Sequence, residues 1–462
     1  MNRSNGPRGL HGLSSSSKIK WSKYRPKKYL HFDKRIDLKH NEHMKANIQD
    51  PNWVASYAFL PSIHFKIQFK KYITLKNENG EKIKKKDKKI REIYYAAHKD
   101  GFIYKYYGDL LNYAYNDYVS EKGIDNIAVA YRNNKSGKNN IDFAYEVFDF
   151  LLKQNQAIVI ALDFTSFFDN IDHKSLKQKI KRVLDVEELP KDWYKIYRNI
   201  TCYSYVERDD LEEFLLDKYG KKKLKKIRSR LLQIMEPAEF RQFKQGKVQV
   251  NKKSFGIPQG SGMSAVCSNV HLIDFDKEVL EWAKQKHPDA LYRRYCDDLI
   301  LVIPTTNATV GLLEEWKNEL MIQIGRYKDD GLIIQEKKTE LRLFREKIIY
   351  NEKMEISPLD YLGFVIDKNI IRIREKSLFK YYSRAYKKAK TSKRIAYATS
   401  RPGPKRKLYD LYTHLGNKYL GYGNFNAYAK KAHILMKELP FKSHIKKQLK
   451  RHWRKIHKRL SD

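Results

Sequence analysis

Residues 293–304 read RRYCDDLILVIP, and the fold turns on them. The apolar run after the acidic pair is short and rich in Ile and Val, which favours a buried strand over a helix. With an aromatic in front and adjacent carboxylates at the junction, the stretch predicts strand, tight turn, strand. A second run, QAIVIALDF (156–164), predicts another buried strand that ends in Asp163. An isolated Asp-Asp is most often a turn former. Here, however, a strand-end Asp163 matches a hairpin-borne Asp297 and Asp298. Carboxylates beside an apolar sheet are costly unless something neutralises them. Two divalent cations would do so, and cations about 3.5–4 Å apart are a device of phosphoryl transfer. Mg²⁺ suits the task, with Mn²⁺ as a substitute, because it accepts a few carboxylates plus phosphate oxygens. Strands about 4.8 Å apart let Asp163 meet the hairpin pair. Successive strand residues face opposite ways, so Asp297 and Asp298 are expected to be unequal ligands, with Asp298 the more peripheral.

Composition narrows the partners. The chain has 462 residues, of which 94 are Lys or Arg and 54 Asp or Glu, a formal charge of +40. So large a self-repulsion points to a polyanion, with nucleic acid ahead of an anionic membrane surface. The 33 Tyr and 21 Phe supply rings that can stack on bases. Cys202, Cys267 and Cys296 form no CxxC pair, so neither a disulfide framework nor a zinc site is expected. No apolar run approaches membrane-spanning length and the N-terminus lacks a secretory core. A cytoplasmic protein without a membrane partner is expected.

Outward from the acidic strands, residues 1–50 read as a basic N-terminal arm and extension, the first twenty flexible. Alternation in IHFKIQF predicts a strand, followed by the turn signal NENG (77–80) and the charge run EKIKKKDKK, most simply a solvated face. Residues 91–120 and 141–154 show helical spacing, and 173–245 is mostly helical. GIPQGSG (256–262) predicts a glycine-rich turn leading into a helix. Residues 310–328 read as helix, 331–335 and 340–350 as strand, and YLGFVI as one more short strand. The segment 367–462 changes character, with 28 Lys plus Arg against 5 Asp plus Glu. It reads as a separate basic helical domain. Its last helix places Ile445, Leu449, Trp453, Ile456 and Leu460 on one face.

The acidic motifs and their neighbours together resemble the reverse transcriptase family. YCDD (295–298) resembles its motif C, and DFTSFFDNI (163–171) its motif A in the group II intron and retron branch. GIPQGS (256–261) is similar to motif B, EKKT (336–339) to motif D, and YLGF (361–364) to motif E. Five matches in family order are far more specific than any one of them. The resemblance implies an α+β right-hand polymerase fold: fingers over 51–155, a palm with an antiparallel sheet over 156–366 carrying a helical insertion at about 173–250, and a basic helical thumb over 367–462. It implies RNA-directed DNA synthesis with an RNA template, a DNA product or primer, and dNTPs. Asp163, Asp297 and Asp298 match the catalytic carboxylates, and the Phe164 carbonyl should also reach a metal ion. Phe168, five residues after Asp163, matches the steric gate that rejects a 2′-hydroxyl. Gln259 and Gly260 match the segment beside the incoming nucleotide, and Gly256 with Gly260 should let backbone approach it closely. Lys338 matches a candidate acid for the departing pyrophosphate. In AYRNNKSGKNN (130–140), Arg132, Lys135 and Lys138 are candidates for the triphosphate, with Arg91 behind them. Tyr295, Gly256, Tyr361 and Gly363 match primer and template contacts.

Three further segments, WVASYAFLPSIHF (53–65), KKIREIYYAAHKDGFIYKYY (88–107) and NITCYSYV (199–206), resemble stand-alone bacterial reverse transcriptases of phage defence and abortive infection. That likeness implies a dedicated non-coding RNA template and admits a homo-oligomer. Departures exist. Gly262 follows Ser261 where the family often has Pro, which predicts a looser helix start and puts the local template contact in doubt. No VTG occurs, and NAYAKKAH (426–433) has the wrong spacing for a retron. Rival readings are untemplated or protein-primed DNA synthesis, an RNA-dependent RNA polymerase, against which Phe168 argues, and a non-catalytic RNA-binding protein.

Overall fold

The computed structural model describes residues 17–76, 82–228, 230–335 and 339–461, with backbone alone over 70–76 and 82–89. In chain order, β1 (Ser62–Lys76) and β2 (Lys82–Tyr95) pair antiparallel from Ile63↔Tyr95 to Lys76↔Lys82. The charge run is therefore half of a long ribbon. Alternation cannot reveal a strand whose two faces are both charged. The NENG turn lies outside the described residues. After the His98–Glu121 and Asn140–Leu152 helices comes β3 (Gln156–Asp163). Next are β4 (Ser204–Glu207) and β5 (Gln249–Val250), then β6 (Leu291–Tyr295) and β7 (Asp298–Pro304). β8 (Glu340–Arg345), β9 (Ile348–Tyr350), β10 (Leu359–Tyr361), β11 (Phe364–Asp367), β12 (Ile370–Ile373) and β13 (Lys442–Ser443) complete the strands.

Three sheets result, ordered β2-β1-β4-β5, β6-β7-β3-β8-β9 and β10-β11-β12-β13. The five-stranded sheet is antiparallel throughout, with β3 between β7 and β8. Both of its faces are covered. Ile158, Ile160 and Leu162 of β3 and Leu299, Leu301 and Ile303 of β7 enter one core with the Gly262–His271, Ile273–Lys286 and Val310–Gly325 helices. Ala157 and Val159, with Ile300 and Val302, enter another built on the Asn140–Leu152 helix, β10–β12 and the C-terminal helices. Burial on both faces explains the continuous apolar runs. Each fully buried Val, Leu or Ile contributes about 1.5–3 kcal/mol.

Several expectations are corrected. Residues 367–462 are not a separate domain. The boundary falls at the end of β11, β12 pairs with β13, and Ala429, Ala432, Met436 and Ile445 share a core with the central sheet. The last helix is two, Ile445–Leu449 and His452–Ser461. YLGFVI is a hairpin, turning at Leu362 (φ 47) and Gly363 (φ 90). Of residues 331–335, only Ile334 makes a bridge, to Phe164. Within the described part of the N-terminal arm, Ile19 and Tyr24 are buried and Trp21 stacks on Tyr106 at 5.9 Å. No helix among the described residues is long and apolar enough to cross a membrane.

Candidate active site

Register builds the site. Asp163 ends β3 and Asp298 begins β7, and the two are directly opposed, two residues beyond the Ala161↔Ile300 pair. Residues opposed in an antiparallel pair share a face. Both carboxylates therefore sit on the face covered by the Asn140–Leu152 helix and the β10–β11 hairpin, past the end of its apolar packing. Asp298 is the exposed member of its pair and Asp297 is half-buried. Yet Asp298, not Asp297, is Asp163's register partner. Cys296 and Asp297 form the two-residue turn between β6 and β7, with Cys296 in the left-handed region at φ 62. Arg294 Nη1 donates to the Cys296 carbonyl at 3.1 Å, and Phe164 N–H donates to the Asp297 carbonyl at 3.4 Å. Phe164 is buried against Phe167 and Phe275, so its backbone abuts the acidic turn.

A cavity of about 340 Å³ opens between β3, β7, β8 and β10. Asp163, Asp298, Glu340, Asp360, Tyr361 and Arg374 contribute to its lining. Glu340, Asp360 and Arg374 escaped the sequence reading, although Asp360 immediately precedes the YLGF motif. Burial pushes the Glu340 and Asp360 carboxyls up, and Arg342 and Arg374 respectively pull them back. Tyr361 is buried with its hydroxyl unpartnered, and burial and the Asp298 charge raise its pKa. Tyr295 is half-buried against Phe143, its pKa raised by burial and then by Cys296 and Asp298. Gly363 turns the β10–β11 hairpin, and its carbonyl accepts from Arg374 N–H at 2.9 Å.

On the far side, two backbone bonds dock motif A onto motif B. Ile257 N–H donates to the Phe168 carbonyl and Gly256 N–H to the Ile171 carbonyl, each at 2.9 Å. They bring the segment of half-buried Phe168 beside that of half-buried Gln259. Gln259 Nε2 lies 3.4 Å from Asp169 Oδ1, and burial raises the Asp169 pKa. The two glycines also stand close to neighbouring backbone. A Cβ on Gly256 (φ +90) would stand 3.0 Å from the Asp169 carbonyl, and one on Gly260 (φ +115) 3.1 Å from that of Tyr94. They admit the chain's own backbone. The helix start is not loose either. Ser261 accepts from Met263 N–H at 3.1 Å, and Gly262 packs so closely on the His98–Glu121 helix that a Cβ on Gly108 would meet the Gly262 carbonyl at 3.1 Å.

The basic candidates fare unevenly. Arg132 is corrected: its side chain is fully buried and is bound by Asn116, the Asp125 carboxylate and the Ala128 carbonyl. A guanidinium so enclosed cannot meet a triphosphate. Lys135 pairs with Asp125 and Lys138 with Glu146 at 2.6 Å. Arg91 is exposed and lies over the Phe69 ring. Lys338 lies outside the described residues. No group of three or more His, Cys, Asp or Glu among the described residues could by itself hold a metal ion.

An α+β fold built on this antiparallel sheet fits the right-hand polymerase class. The chain belongs to the reverse transcriptase (RNA-dependent DNA polymerase) family, whose profile matches residues 83–366, more than half of its length. No curated protein matches it in sequence. Among solved structures it is similar to apo telomerase of Candida tropicalis truncated from its C-terminal domain (12% identity, 71% of this chain and 59% of that one, TM-score 0.39). It is also similar to telomerase of Candida albicans in complex with a TWJ fragment of telomeric RNA (11%, 92% and 68%, TM-score 0.40). The chain thus spans 59% of the first and 68% of the second.

Proposed function

We propose that this chain copies a non-coding RNA into DNA by two-metal phosphoryl transfer, in defence against phage. The observation that carries the chemistry is the direct opposition of Asp163 and Asp298 at the mouth of an otherwise apolar sheet. Asp163, Asp298 and Asp297, with the Phe164 carbonyl, would hold two Mg²⁺ ions. Bound there, the ions would lower the pKa of the primer 3′-hydroxyl and neutralise charge on the leaving pyrophosphate. Phe168 excludes a 2′-hydroxyl, and Gln259 orients the incoming nucleotide beside it. The β1–β2 ribbon acts as fingers and the basic C-terminal helices as the thumb on a primer–template duplex. Support for the defence role is the likeness of three separate segments to phage-defence enzymes. In the fold these segments meet, because β1 pairs with both β2 and β4.

The test is sequencing of nucleic acid from cells that express the chain with its native flanking DNA, beside the Asp297→Ala/Asp298→Ala variant. DNA complementary to a flanking non-coding RNA, made only by the parent, is expected. DNA that depends on the enzyme but matches no template would replace the templated reading with the untemplated or protein-primed one. Loss of RNA binding in the variant would mean that folding, not chemistry, had been removed.

A further inference from the structure

A lattice of buried polar groups ties the loop before Arg132 to the catalytic turn. Asn112 donates to the Tyr131 carbonyl and accepts from Asn133 N–H. Asn269 Nδ2 donates to the Ala130 carbonyl at 2.9 Å. Val129 N–H donates to the Arg294 carbonyl at 2.9 Å, and Arg294 N–H to that of Ile127 at 2.8 Å. The Arg294 guanidinium, buried on Asp276, reaches both Asn269 Oδ1 and the Cys296 carbonyl at 3.1 Å. Arg132 anchors the loop from its other end.

What this lattice holds is Tyr131. Its backbone is left-handed at φ 59, a conformation that costs a bulky residue and suits glycine. The residue is nevertheless 51% exposed, so core packing does not explain it. Ala128 bridges Arg294 and Val129 N–H bonds the Arg294 carbonyl, so the residue stands beside the strand that runs into the Cys296–Asp297 turn. Strain that the surroundings over-determine is a mark of functional positions. A half-exposed ring on a firmly held loop beside the turn whose carboxylates must meet a 3′-hydroxyl is a ready platform for a nucleoside.

We propose that Tyr131 is a binding residue for the nucleoside at the 3′ end of the primer, its ring packing on that sugar and base. This rests on the polymerase reading. The 3′ end is favoured over the incoming nucleotide because the Tyr131 loop pairs with the strand leading into the Cys296 turn, whereas Gln259 bonds Asp169 in the segment that carries Phe168.

The experiment uses the full chain and a DNA primer on an RNA template, with 2-aminopurine at the primer 3′ end. Affinity and terminal-base fluorescence are measured in Ca²⁺, and extension kinetics in Mg²⁺. Tyr131→Ala and Tyr131→Gly should each weaken primer–template binding about 10-fold, within the range of one base–aromatic stack. The KM for dNTP should stay within about twofold, and Tyr131→Phe should remain near the parent. Glycine relieves the left-handed strain, so equal loss in both variants assigns the effect to the ring. Unchanged primer binding in Tyr131→Gly, or a change confined to the dNTP KM, would overturn the proposal. A parent chain that binds the duplex but never extends it would defeat the polymerase reading, while the binding comparison would still decide the role of Tyr131.

Discussion

Asp276→Ala is the sharpest test of how the fold supports the turn. Arg294 and Asp276 are the most deeply buried ion pair among the described residues, with side chains 0% and 2% exposed. Asp276 accepts from Arg294 Nε at 2.9 Å, from Nη2 at 2.6 Å and from the Tyr292 hydroxyl at 2.9 Å. Truncation leaves a guanidinium without its counter-charge, a loss of about 3–5 kcal/mol. It also orphans the Tyr292 hydroxyl, worth about 1–3 kcal/mol. The two losses share one partner and do not add fully, so about 4 kcal/mol is expected. Unfolding entropy of about 2.1 cal/mol/K per residue gives roughly 1 kcal/mol/K over the whole chain, hence a Tm lowered by about 4 °C. Scanning calorimetry reads this directly, and a shift under about 1 °C would refute the buried-charge argument. Replacing the pair, Asp276→Leu with Arg294→Met, should recover most of the stability. Extension should still slow, because the bond to the Cys296 carbonyl is gone. A double variant as active as the parent would show that the pair does not position the turn.

Other consequences can be checked alongside. Phe168→Ala should raise ribonucleotide incorporation by 10-fold or more, about 1.4 kcal/mol of lost discrimination. Unchanged sugar selectivity in a misincorporation assay would remove the gate assignment. His271 is buried with Nε2 2.8 Å from the Asp330 carbonyl, and burial first, then Lys179, pushes its pKa down to about 4. Its folded pKa lies below the unfolded value, so its contribution is complete above about pH 6.5 and is lost as pH falls toward 4. His271→Gln should therefore flatten the acid limb of stability by about 3 kcal/mol. Measuring the difference from the parent removes the opposing effect of Asp100, whose carboxyl burial pushes up to about 7. A parallel acid limb in the variant would count against it. Deleting 367–462 would strip the central sheet of half its cover, so the thumb is better tested by charge. Replacing exposed Lys380, Arg384 and Lys387 by Ala should weaken template binding. The log–log salt slope should fall by about 0.9 for each phosphate that is no longer neutralised, and an unchanged slope would place the template elsewhere.

Much of the site is legible in the sequence because its signals are local. The runs 156–163 and 298–304 read as strands from their Ile and Val content, and the motif order names the carboxylates. The errors arise where a partner distant in sequence decides. Arg132 looks like a phosphate ligand because a guanidinium's charge is visible in sequence and its burial is not. Tyr131, one residue earlier, carries no signal at all, since a left-handed backbone leaves no mark on a tyrosine. The ribbon strand 82–95 is hidden because its pairing, not its pattern, makes it a strand. Residues 367–462 look independent by charge, yet their apolar side chains complete a core begun at Ile141.

Residue chemistry and short-range periodicity are enough to fix the element types of the central sheet, the family and the identity of the acidic residues. Which carboxylates face each other is a property of the folded chain alone. A slip of one residue between β3 and β7 would turn Asp298 to the opposite face from Asp163. That register is set by two cores, one on each side of the sheet, drawn from helices as far apart in sequence as Asn140–Leu152 and Phe425–Met436.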